Sequence, residues 1–454
     1  MVPASNPSPS KSIETQTIPL KPEALILGSG IVGISIAESL ARAGIHVTLL
    51  EKGDHLGGKA LDLRTGDNPP GEVRKWIDEK ISEIKKHAKI TLLAQTELKR
   101  VEGHLGQFEA RVRRNDGTET NLSPSVIIVA TGYSTQREKA KGLWGQKGVM
   151  GLPEIERLLS ETVDLSLVWE GKRVERVTFL LDQANEDLKI DSINAIKQSL
   201  LLQEKYGCQV TILCKDVKVS ADGMERLYRK AREKGVLFFK YEAPPRISFK
   251  EGKILIEVKD TGAIQKEEQW PVSILSDILV VGEAFIPNPD TEQLSELLRI
   301  HLGKRGFLME DNPQLLRVRS NRRGIFVAGG CRFPQEVSES LIEARAVAQE
   351  VIGLLSRGTY TFDLTVAEVD PKKCAVCYTC PRLCPHSAIT IEKYAEKNIY
   401  APPGMTEGTQ WGAAKVNPVA CYGCGICVAE CPAKAITLLH LGDEQIYSQM
   451  GLPG

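Results

Sequence analysis

The chain has 454 residues, of which 42% are hydrophobic, and its 58 Lys and Arg residues are balanced by 58 Asp and Glu residues. This length allows two to four domains with separate cores, and the balanced charge gives no electrostatic basis for binding nucleic acid or a membrane surface. No apolar run approaches the roughly 18–20 residues that span a bilayer, so we expect no direct membrane insertion.

The N-terminal stretch is rich in Ser, Pro and Thr over residues 1–17 and contains no apolar segment of the kind found in a secretory signal. We therefore predict a disordered leader over residues 1–21. The first folded element is expected to begin at the apolar run that follows.

A dinucleotide-binding fingerprint follows the leader as strand, glycine turn, helix, strand and acid. In order, these parts are residues 24–27, then Gly28, Gly30 and Gly33 in G-x-G-x-x-G spacing, a helical pattern to residue 43, residues 47–50 and Glu51. Gly28 permits the tight turn, Gly30 lets the backbone approach a pyrophosphate, and Gly33 lets the helix pack closely on the sheet. A glycine turn without function would leave the flanking strands, helix and acid unexplained.

Three later stretches resemble two-dinucleotide-binding-domain flavoproteins and favour FAD over NAD. They are the pair Gly57 and Gly58, residues 126–132 (VIIVATG) and residues 324–330 (GIFVAGG). The familiar form of the last motif ends in Asp, where this chain has Gly330. The resemblance therefore predicts an FAD site without the usual carboxylate contact at that position.

A second α/β unit is predicted between the last two of these stretches. Its strands are expected at residues 177–181, 210–214 and 236–239, and its helices at residues 192–206 and 223–234. Residues 181–188 (LDQANEDL) contain no glycine, so a nicotinamide pyrophosphate would meet acidic side chains and not a bare backbone. We expect no tight NAD(P)H binding here. A helix over residues 335–355 would close the FAD domain, and residues 358–362 would be a short linker.

Eight of the eleven cysteines lie in two runs near the end of the chain. Each run has the C-x2-C-x2-C-x3-C-P spacing of bacterial [4Fe–4S] ferredoxins: Cys374, Cys377, Cys380 and Cys384, then Cys421, Cys424, Cys427 and Cys431. In two-cluster ferredoxins the fourth Cys of each run ligates the other cluster. We therefore assign Cys431 to the first three thiols and Cys384 to the second three. A zinc ribbon would leave the third Cys of each run unexplained.

The remaining cysteines do not form a redox dithiol. Residues 59–147 contain no Cys, which excludes the pair that disulfide oxidoreductases of this fold carry there. Cys208 and Cys214 are interpreted as buried, apolar-like residues. Cys331 is a candidate for a thiol that tunes the flavin environment, with an inert core Cys as the alternative. This cysteine usage fits a reducing cytoplasm, and oxygen-sensitive clusters suit an anaerobic setting.

In this order, the motifs resemble the A subunit of heterodisulfide reductases from about residue 22 to the C-terminus. Residues 148–156, 226–236 and 334–337 add to the likeness. The resemblance implies a subunit that carries FAD and [4Fe–4S] clusters and passes electrons among partner redox subunits; several members also bifurcate electron pairs at the flavin. Ferredoxin is a candidate partner. Many members carry further cluster-binding Cys in the second unit, whereas residues 178–200 here have none, so we expect one FAD and two clusters.

The predicted fold is α/β: an FAD-binding two-dinucleotide-binding-domain flavoprotein fold with a C-terminal α+β ferredoxin domain. The domains are expected at residues 22–147 with 288–358 (FAD-binding, discontinuous), 148–287 (second α/β unit) and 359–454 (two [4Fe–4S] clusters). The predicted cofactor-binding residues are Gly28, Gly30, Ile31, Gly33, Glu51, Lys52, Gly57, Gly58, Lys59, Ala130, Thr131, Gly132, Gly329, Gly330, Cys331, Gln335, Glu336 and Val337. By the family's layout, Lys59, Cys331 and residues 335–337 would lie near the flavin ring, although Lys59 also fits a solvated surface position.

Two other functions remain open from the sequence. A self-contained NAD(P)H:ferredoxin-type oxidoreductase would need a nicotinamide pocket in the second unit, and an assembly scaffold would carry clusters that are redox-inert. Residues 391–416, between the cysteine runs, form a long insertion for a free ferredoxin. We interpret it as a docking loop for a partner or for the FAD domain, with an ordinary surface loop as the alternative.

Overall fold

A computed structural model describes residues 13–62, 72–137, 142–162, 166–182, 189–250, 252–262, 270–394, 411–442, 446–447 and 450. Within this described part, no helix combines the length and the apolar character needed to cross a bilayer.

The elements follow the chain in three groups. The first group is β1 (Thr15–Pro19), β2 (Glu23–Leu27), α1 (Ile31–Arg42), β3 (His46–Leu50), α2 (Glu72–Lys86), β4 (Ile90–Leu93), β5 (Thr96–His104), β6 (Gln107–Arg114), β7 (Glu119–Leu122), β8 (Val126–Val129) and β9 (Ser134–Gln136). The second group is β10 (Val149–Gly151), α3 (Leu152–Glu161), β11 (Val168–Trp169), β12 (Lys172–Arg173), β13 (Arg176–Leu180), α4 (Lys189–Tyr206), β14 (Gln209–Cys214), α5 (Met224–Glu233), β15 (Leu237–Lys240), β16 (Arg246–Lys250), β17 (Lys253–Asp260), β18 (Trp270–Ser276), β19 (Ile278–Val281) and β20 (Ala284–Ile286). The third group is α6 (Thr291–Leu298), β21 (Ile325–Val327), α7 (Val337–Leu355), β22 (Thr359–Asp363), β23 (Ala367–Val369), α8 (Thr379–Leu383), β24 (Ile389–Tyr394), β25 (Trp411–Val416), α9 (Ile426–Ala429) and β26 (Ile436–Leu438).

The first sheet is parallel, with strand order β21-β8-β2-β3-β4. Its strands are short apolar runs because both faces are covered. Helices α1 and α7 pack on one face, and the antiparallel sheet β5-β6-β7 supplies Phe108 and Val112 to the core on the other. Since β21 comes from far along the chain, two separate stretches build this sheet, as a discontinuous domain requires.

The second sheet is also parallel, with strand order β10-β19-β13-β14-β15. Helices α3, α4 and α5 contribute to one core, and the antiparallel sheet β16-β17-β18 packs Ile254 and Ile256 against the other face. Strands β9 and β20 form an antiparallel pair, with Ser134 opposite Ile286. This pair holds together the outgoing and returning connections between the two sheets.

The cysteine-rich part is a small α+β unit with a visible internal repeat. Strand β23 pairs with β26, β24 pairs with β25, and one short helix follows the first two cysteines of each run. Val376 and Tyr378 have positive φ angles in the first run, and Gly423 and Gly425 have them at the same places in the second. Both runs therefore fold into the same tight loop, although the first contains no glycine there.

Two sequence predictions are wrong at the ends of these domains. Thr15–Pro19 is a strand inside the predicted disordered leader, and it pairs antiparallel with Thr359–Asp363, which overlaps the predicted linker. The two-stranded sheet is mostly exposed, so neither segment shows the apolar alternation that marks a half-buried strand. Residues 1–12 lie outside the described residues.

Candidate cofactor sites

The glycine turn between β2 and α1 lies at one end of a cavity of about 600 Å3. Gly28 has φ +100°, and a Cβ at this position would lie 2.5 Å from the Ala130 carbonyl oxygen. A Cβ on Gly33 would overlap the Gly28 carbonyl oxygen. Helix α1 has no acidic residue in its first turn, so its unpaired N–H groups face the cavity without a competing carboxylate. Bare backbone and free amides suit a pyrophosphate.

Glu51 lies at the carboxyl end of β3 and lines the same cavity. Its carboxylate accepts hydrogen bonds from the Ser29 amide at 3.0 Å and the Gly53 amide at 2.8 Å, and from the Ser29 hydroxyl. These bonds fix the acid against the glycine turn. The neighbouring Lys52 donates to Asp290 at 3.0 Å, and this hydrogen bond raises the pKa of Lys52.

Most of the predicted cofactor residues line this cavity. They are Gly28, Gly30, Ile31, Glu51, Lys52, Gly57, Gly58, Lys59, Ala130, Thr131, Gly132, Gly330, Gln335 and Val337. Four distant parts of the sequence thus meet at the carboxyl ends of the parallel strands, where ligands bind in open α/β sheets. A Cβ on Gly58 would lie 3.2 Å from the Gly30 Cα, so the two glycine turns approach closely.

Four predicted residues lie behind the cavity wall. Gly33 packs on Gly28, and Gly329 donates its amide to Glu343 at 2.8 Å. Cys331 is buried; its thiol donates to the carbonyls of Val129 and Ala328, and burial raises its pKa to about 11. This setting matches the inert core Cys more closely than the flavin-tuning thiol. Glu336 turns to the second unit and accepts from Lys197 at 3.0 Å.

Two carboxylates lie at the N-terminus of α7. Glu336 is its N-cap residue, and Glu339 in the first turn accepts a hydrogen bond from the Glu336 amide at 3.2 Å. Both carboxylates also pair with lysines of α4, Lys197 and Lys189. The helix end is thus already capped by negative charge, so it attracts a negatively charged group less strongly than an uncapped helix end would.

Several cavity residues escape sequence reasoning because tertiary contacts alone bring them there. Tyr133 lies beside Gly330, where a Cβ on the glycine would lie 2.5 Å from the Tyr133 ring. The Lys59 ammonium lies 4.9 Å from the centre of that ring. Asn288 donates to the Thr131 carbonyl at 2.7 Å after the chain returns from the second unit. In the sequence, the position of Tyr133 directly after the A-T-G turn could have indicated that this residue lies near the cavity.

The eight cluster cysteines form two separate pockets. The Cys374 pocket is lined by Cys374, Cys377, Cys380 and Cys431, and the Cys421 pocket is lined by Cys421, Cys424, Cys427 and Cys384. The fourth cysteine of each run is therefore grouped with the other run. This grouping is the arrangement expected of a two-cluster ferredoxin.

The thiols of both pockets accept hydrogen bonds from backbone amides, a contact that helps to set the potential of an iron–sulfur cluster. Backbone amides donate to the sulfurs at equivalent places, Ala388 to Cys384 and Ala435 to Cys431, both at 3.3 Å. Burial, followed by the neighbouring thiols, raises the pKa of Cys380 to about 11. Thiolate ligation there relies on the positive charge of iron.

The Cys421 pocket contacts the first α/β region through the loop before β21. Asn321 donates to the Pro385 carbonyl, and its own carbonyl lies 2.7 Å from His386 Nδ1. Arg323 donates to the Val419 carbonyl at 2.6 Å and lies 4.4 Å from the centre of the Tyr422 ring. His386 and Tyr422, which stack at 4.0 Å, both line the pocket.

The other two cysteines are buried in the second unit. Burial raises the pKa of Cys208 to about 11 and that of Cys214 to about 12, which makes both poor nucleophiles. All eleven cysteines are unpaired. The predicted glycine-free turn over residues 181–188 is described only at Leu181 and Asp182, and the rest lies outside the described residues.

Comparisons with known proteins agree with these two kinds of site. Residues 26–75 match the family model of an NAD(P)-binding Rossmann-like domain, and residues 373–435 match that of a 4Fe-4S dicluster domain. The iron-sulfur A subunit of a CoB–CoM heterodisulfide reductase from Methanopyrus kandleri is 24% identical over 84% of this chain and 72% of its own length. The chain is a relative of the A subunits of heterodisulfide reductases. It is thus a flavin- and iron–sulfur-containing electron-transfer protein.

A second relative covers a similar part of the chain. The A subunit of the ferredoxin/F(420)H(2)-dependent CoB–CoM heterodisulfide reductase from Methanosarcina acetivorans is 25% identical over 81% of this chain, which spans only 57% of that relative's length. The solved structure of LpdA from Mycobacterium tuberculosis has a TM-score of 0.51 and 19% identity, covering 76% of this chain and 75% of LpdA. The predicted fold class, the oxidoreductase class and the cofactors, FAD and two [4Fe–4S] clusters, are confirmed for this heterodisulfide reductase-like chain.

Proposed function

We propose that this chain is an electron-transfer hub subunit of a multi-subunit heterodisulfide reductase-like complex. When bound, FAD exchanges electrons in pairs and [4Fe–4S] clusters exchange them singly, so one chain holding both converts between the two modes. The predicted residues around the cavity would hold FAD, and the Cys374 and Cys421 pockets would each hold one cluster. Because one relative is named as ferredoxin-dependent, ferredoxin is the electron partner that we propose.

The observation that carries this proposal is the contact between the Cys421 pocket and the loop of Asn321 and Arg323. That loop leads directly into β21, and Ala328 after the strand lines the flavin cavity. At about 3.3 Å per extended residue, the chain from Arg323 to Ala328 can span at most roughly 17 Å. We therefore propose the order flavin cavity, Cys421 pocket, Cys374 pocket and partner.

The alternative, direct reduction by NAD(P)H, is disfavoured by the charges in the second unit. Asp182 follows β13, Glu283 follows β19 and Asp191 lies in the first turn of α4, so three buried carboxyl groups gather at the carboxyl ends of the parallel strands. A nicotinamide pyrophosphate bound at that helix end would lie against these groups. The arrangement favours a unit that does not bind the nucleotide.

An anaerobic titration of the purified chain tests the proposal. NADH, NADPH and reduced ferredoxin are added separately, flavin and cluster absorbance are followed in parallel, and dithionite provides the fully reduced reference. Reduced ferredoxin should reduce both the clusters and the flavin, and NADH and NADPH should reduce neither. Rapid bleaching of the flavin by a nucleotide would establish the self-contained oxidoreductase, whereas clusters that dithionite does not reduce would indicate the scaffold.

Replacing Arg323 with alanine should slow the reduction of the flavin by reduced ferredoxin, while the clusters are still reduced. The variant loses a cation–π contact and a hydrogen bond to a carbonyl, together roughly 1.5–3 kcal/mol, which corresponds to about tenfold or more in the docking equilibrium. Stopped-flow absorbance separates the two events. Arg319→Ala is the matched control, because Arg319 lies on the same loop but pairs with Glu350 on the surface. Equal flavin rates in R323A and wild type would remove this contact from the electron path.

We propose that the insertion between the cysteine runs is a docking loop. Its ends form the hairpin of Ile389–Tyr394 and Trp411–Val416, and residues 395–410 between them lie outside the described residues. Deleting residues 401–411 should impair assembly with partner subunits, as measured by co-purification. Unchanged assembly and electron flow would identify an ordinary surface loop.

A further inference from the structure

In the part of the chain that the structure describes, one buried carboxyl group near the flavin cavity has no cationic partner. The Asp182 carboxylate pairs with Lys218 and accepts the Lys215 amide at 2.8 Å, and the Glu283 carboxylate pairs with Arg137 at 3.0 Å. Asp191 is 5% exposed, and its Oδ1 has no hydrogen-bond partner among the described residues. Lys218 and Arg137 thus pair with the other two acids, and no cation among the described residues pairs with Asp191.

The surroundings of Asp191 favour its neutral form. A Cβ on Gly282 would lie 2.7 Å from its Oδ2, so the backbone after β19 closes over the carboxyl group. Burial, followed by the negative charges of Asp182 and Glu283, raises its pKa to about 8, and Lys218 opposes this shift. An unpaired buried carboxylate is costly, and proton uptake avoids that cost.

Tyr133 connects Asp191 to the flavin cavity. Its ring lines the cavity next to Gly330, packs edge-on against Phe285 at 5.3 Å and lies under the Lys59 ammonium. Gly282, which lies against the Asp191 carboxyl group, is three residues before Phe285, so one short segment joins Asp191 to the ring that packs on Tyr133. Consistent with this placement, burial followed by the charge on Asp191 raises the pKa of Tyr133 to about 12. The ring occupies the place beside Gly330 where the familiar flavoprotein motif would carry an Asp side chain.

We propose that Asp191 is a positioning residue that couples a proton to the charge of the flavin cavity. This inference rests on the proposed function, because it requires electrons to arrive in the cavity from the clusters. Negative charge that enters the cavity disfavours ionised Asp191, which then takes up one proton from solvent; when the electrons leave, the carboxyl group releases that proton. Asp191 has a higher pKa when the flavin is reduced than when it is oxidised. At pH values between these two, reduction of the flavin therefore binds one additional proton per electron pair.

The sign of the pH dependence follows from this coupling. Below about pH 8 Asp191 is neutral in both redox states and adds nothing to the slope of potential against pH. Above that pH, ionised Asp191 repels incoming electrons, so the flavin potential falls more steeply with pH than it does without this group. Among the described residues, the charges that shift the pKa of Asp191 are those of Asp182, Glu283 and Lys218. Tyr133, whose pKa is raised to about 12, stays neutral over this range.

The test is a spectroelectrochemical titration of flavin in the whole chain from about pH 6 to about pH 10, a range chosen to bracket the raised pKa. The wild-type profile should break near pH 8, and Asp191→Asn should lose the break and show a higher potential above it. Reduced-minus-oxidised infrared spectra recorded above the break should contain the band of a protonated carboxyl group, absent from D191N. Asp216→Asn is the matched control, because that exposed carboxylate pairs with Lys240 in the same unit and should leave the profile unchanged.

A second variant keeps the proposal testable if D191N folds poorly. Asp182→Asn removes a negative neighbour of Asp191 and should move the break to lower pH. A D191N profile that coincides with wild type, or a break that D182N does not move, overturns the inference. A chain that binds no flavin would instead overturn the proposed function, so the two failures are distinguishable.

Discussion

Replacing Cys431 with alanine should remove the cluster of the Cys374 pocket and leave that of the Cys421 pocket in place. Iron content should fall from about eight to about four atoms per chain, because each [4Fe–4S] cube needs four thiolates and Cys431 lines the pocket of the other run. Iron and acid-labile sulfide analysis gives the amount. Paramagnetic resonance of the reduced protein shows which cluster remains.

Double variants decide the pairing most sharply. C431A combined with Cys374→Ala should retain the same four irons as either single variant, since both side chains belong to one pocket. C431A combined with Cys421→Ala should lose both clusters. Cys214→Ala controls for the loss of a buried cysteine, because that thiol lies in the second unit and should leave the iron content unchanged. The reverse pattern for the two doubles would assign Cys431 to its own run and refute the exchange.

The sequence predicts these pockets well because their geometry is local. Two-residue gaps between cysteines restrict three thiols to one loop, and the exchange of the fourth Cys follows from the repeated spacing. The glycine fingerprint is similarly local, since Gly28 and Gly33 contact each other across a single turn. Such motifs carry their structural context in a few adjacent residues.

What the sequence could not predict depends on contacts between distant segments. Tyr133 fills the space beside Gly330 only after β8 and β21 pair, and its link to Asp191 requires the second unit to be in place. The pairing of β1 with β22 joins residues 344 positions apart, such as Thr17 and Thr361, without an apolar pattern in either segment. The missing carboxylate at position 330 was visible in the sequence, but the residue that takes its space was not.

Replacing Gly28 with alanine should abolish most FAD binding. The residue has φ +100°, where an L side chain costs roughly 1–3 kcal/mol, and the new Cβ would lie 2.5 Å from the Ala130 carbonyl oxygen. The A-T-G turn that lines the cavity must then move away from the glycine turn. We expect FAD affinity to weaken by at least about tenfold, equivalent to about 1.4 kcal/mol. Flavin content after reconstitution and gel filtration measures the loss.

The variant Gly44→Ala distinguishes the effect of backbone strain from the effect of a changed cavity. Gly44 has φ +89° at the end of α1, and a Cβ there would meet no atom within 4 Å. Its backbone penalty is therefore similar in kind, but it lies outside the cavity, so G44A should lower thermal stability and keep its flavin. Both variants should retain full iron content, because neither glycine touches a cysteine pocket. If G28A kept its flavin, or if G44A lost as much as G28A, the close approach of Gly28 to Ala130 would not be what shapes the site.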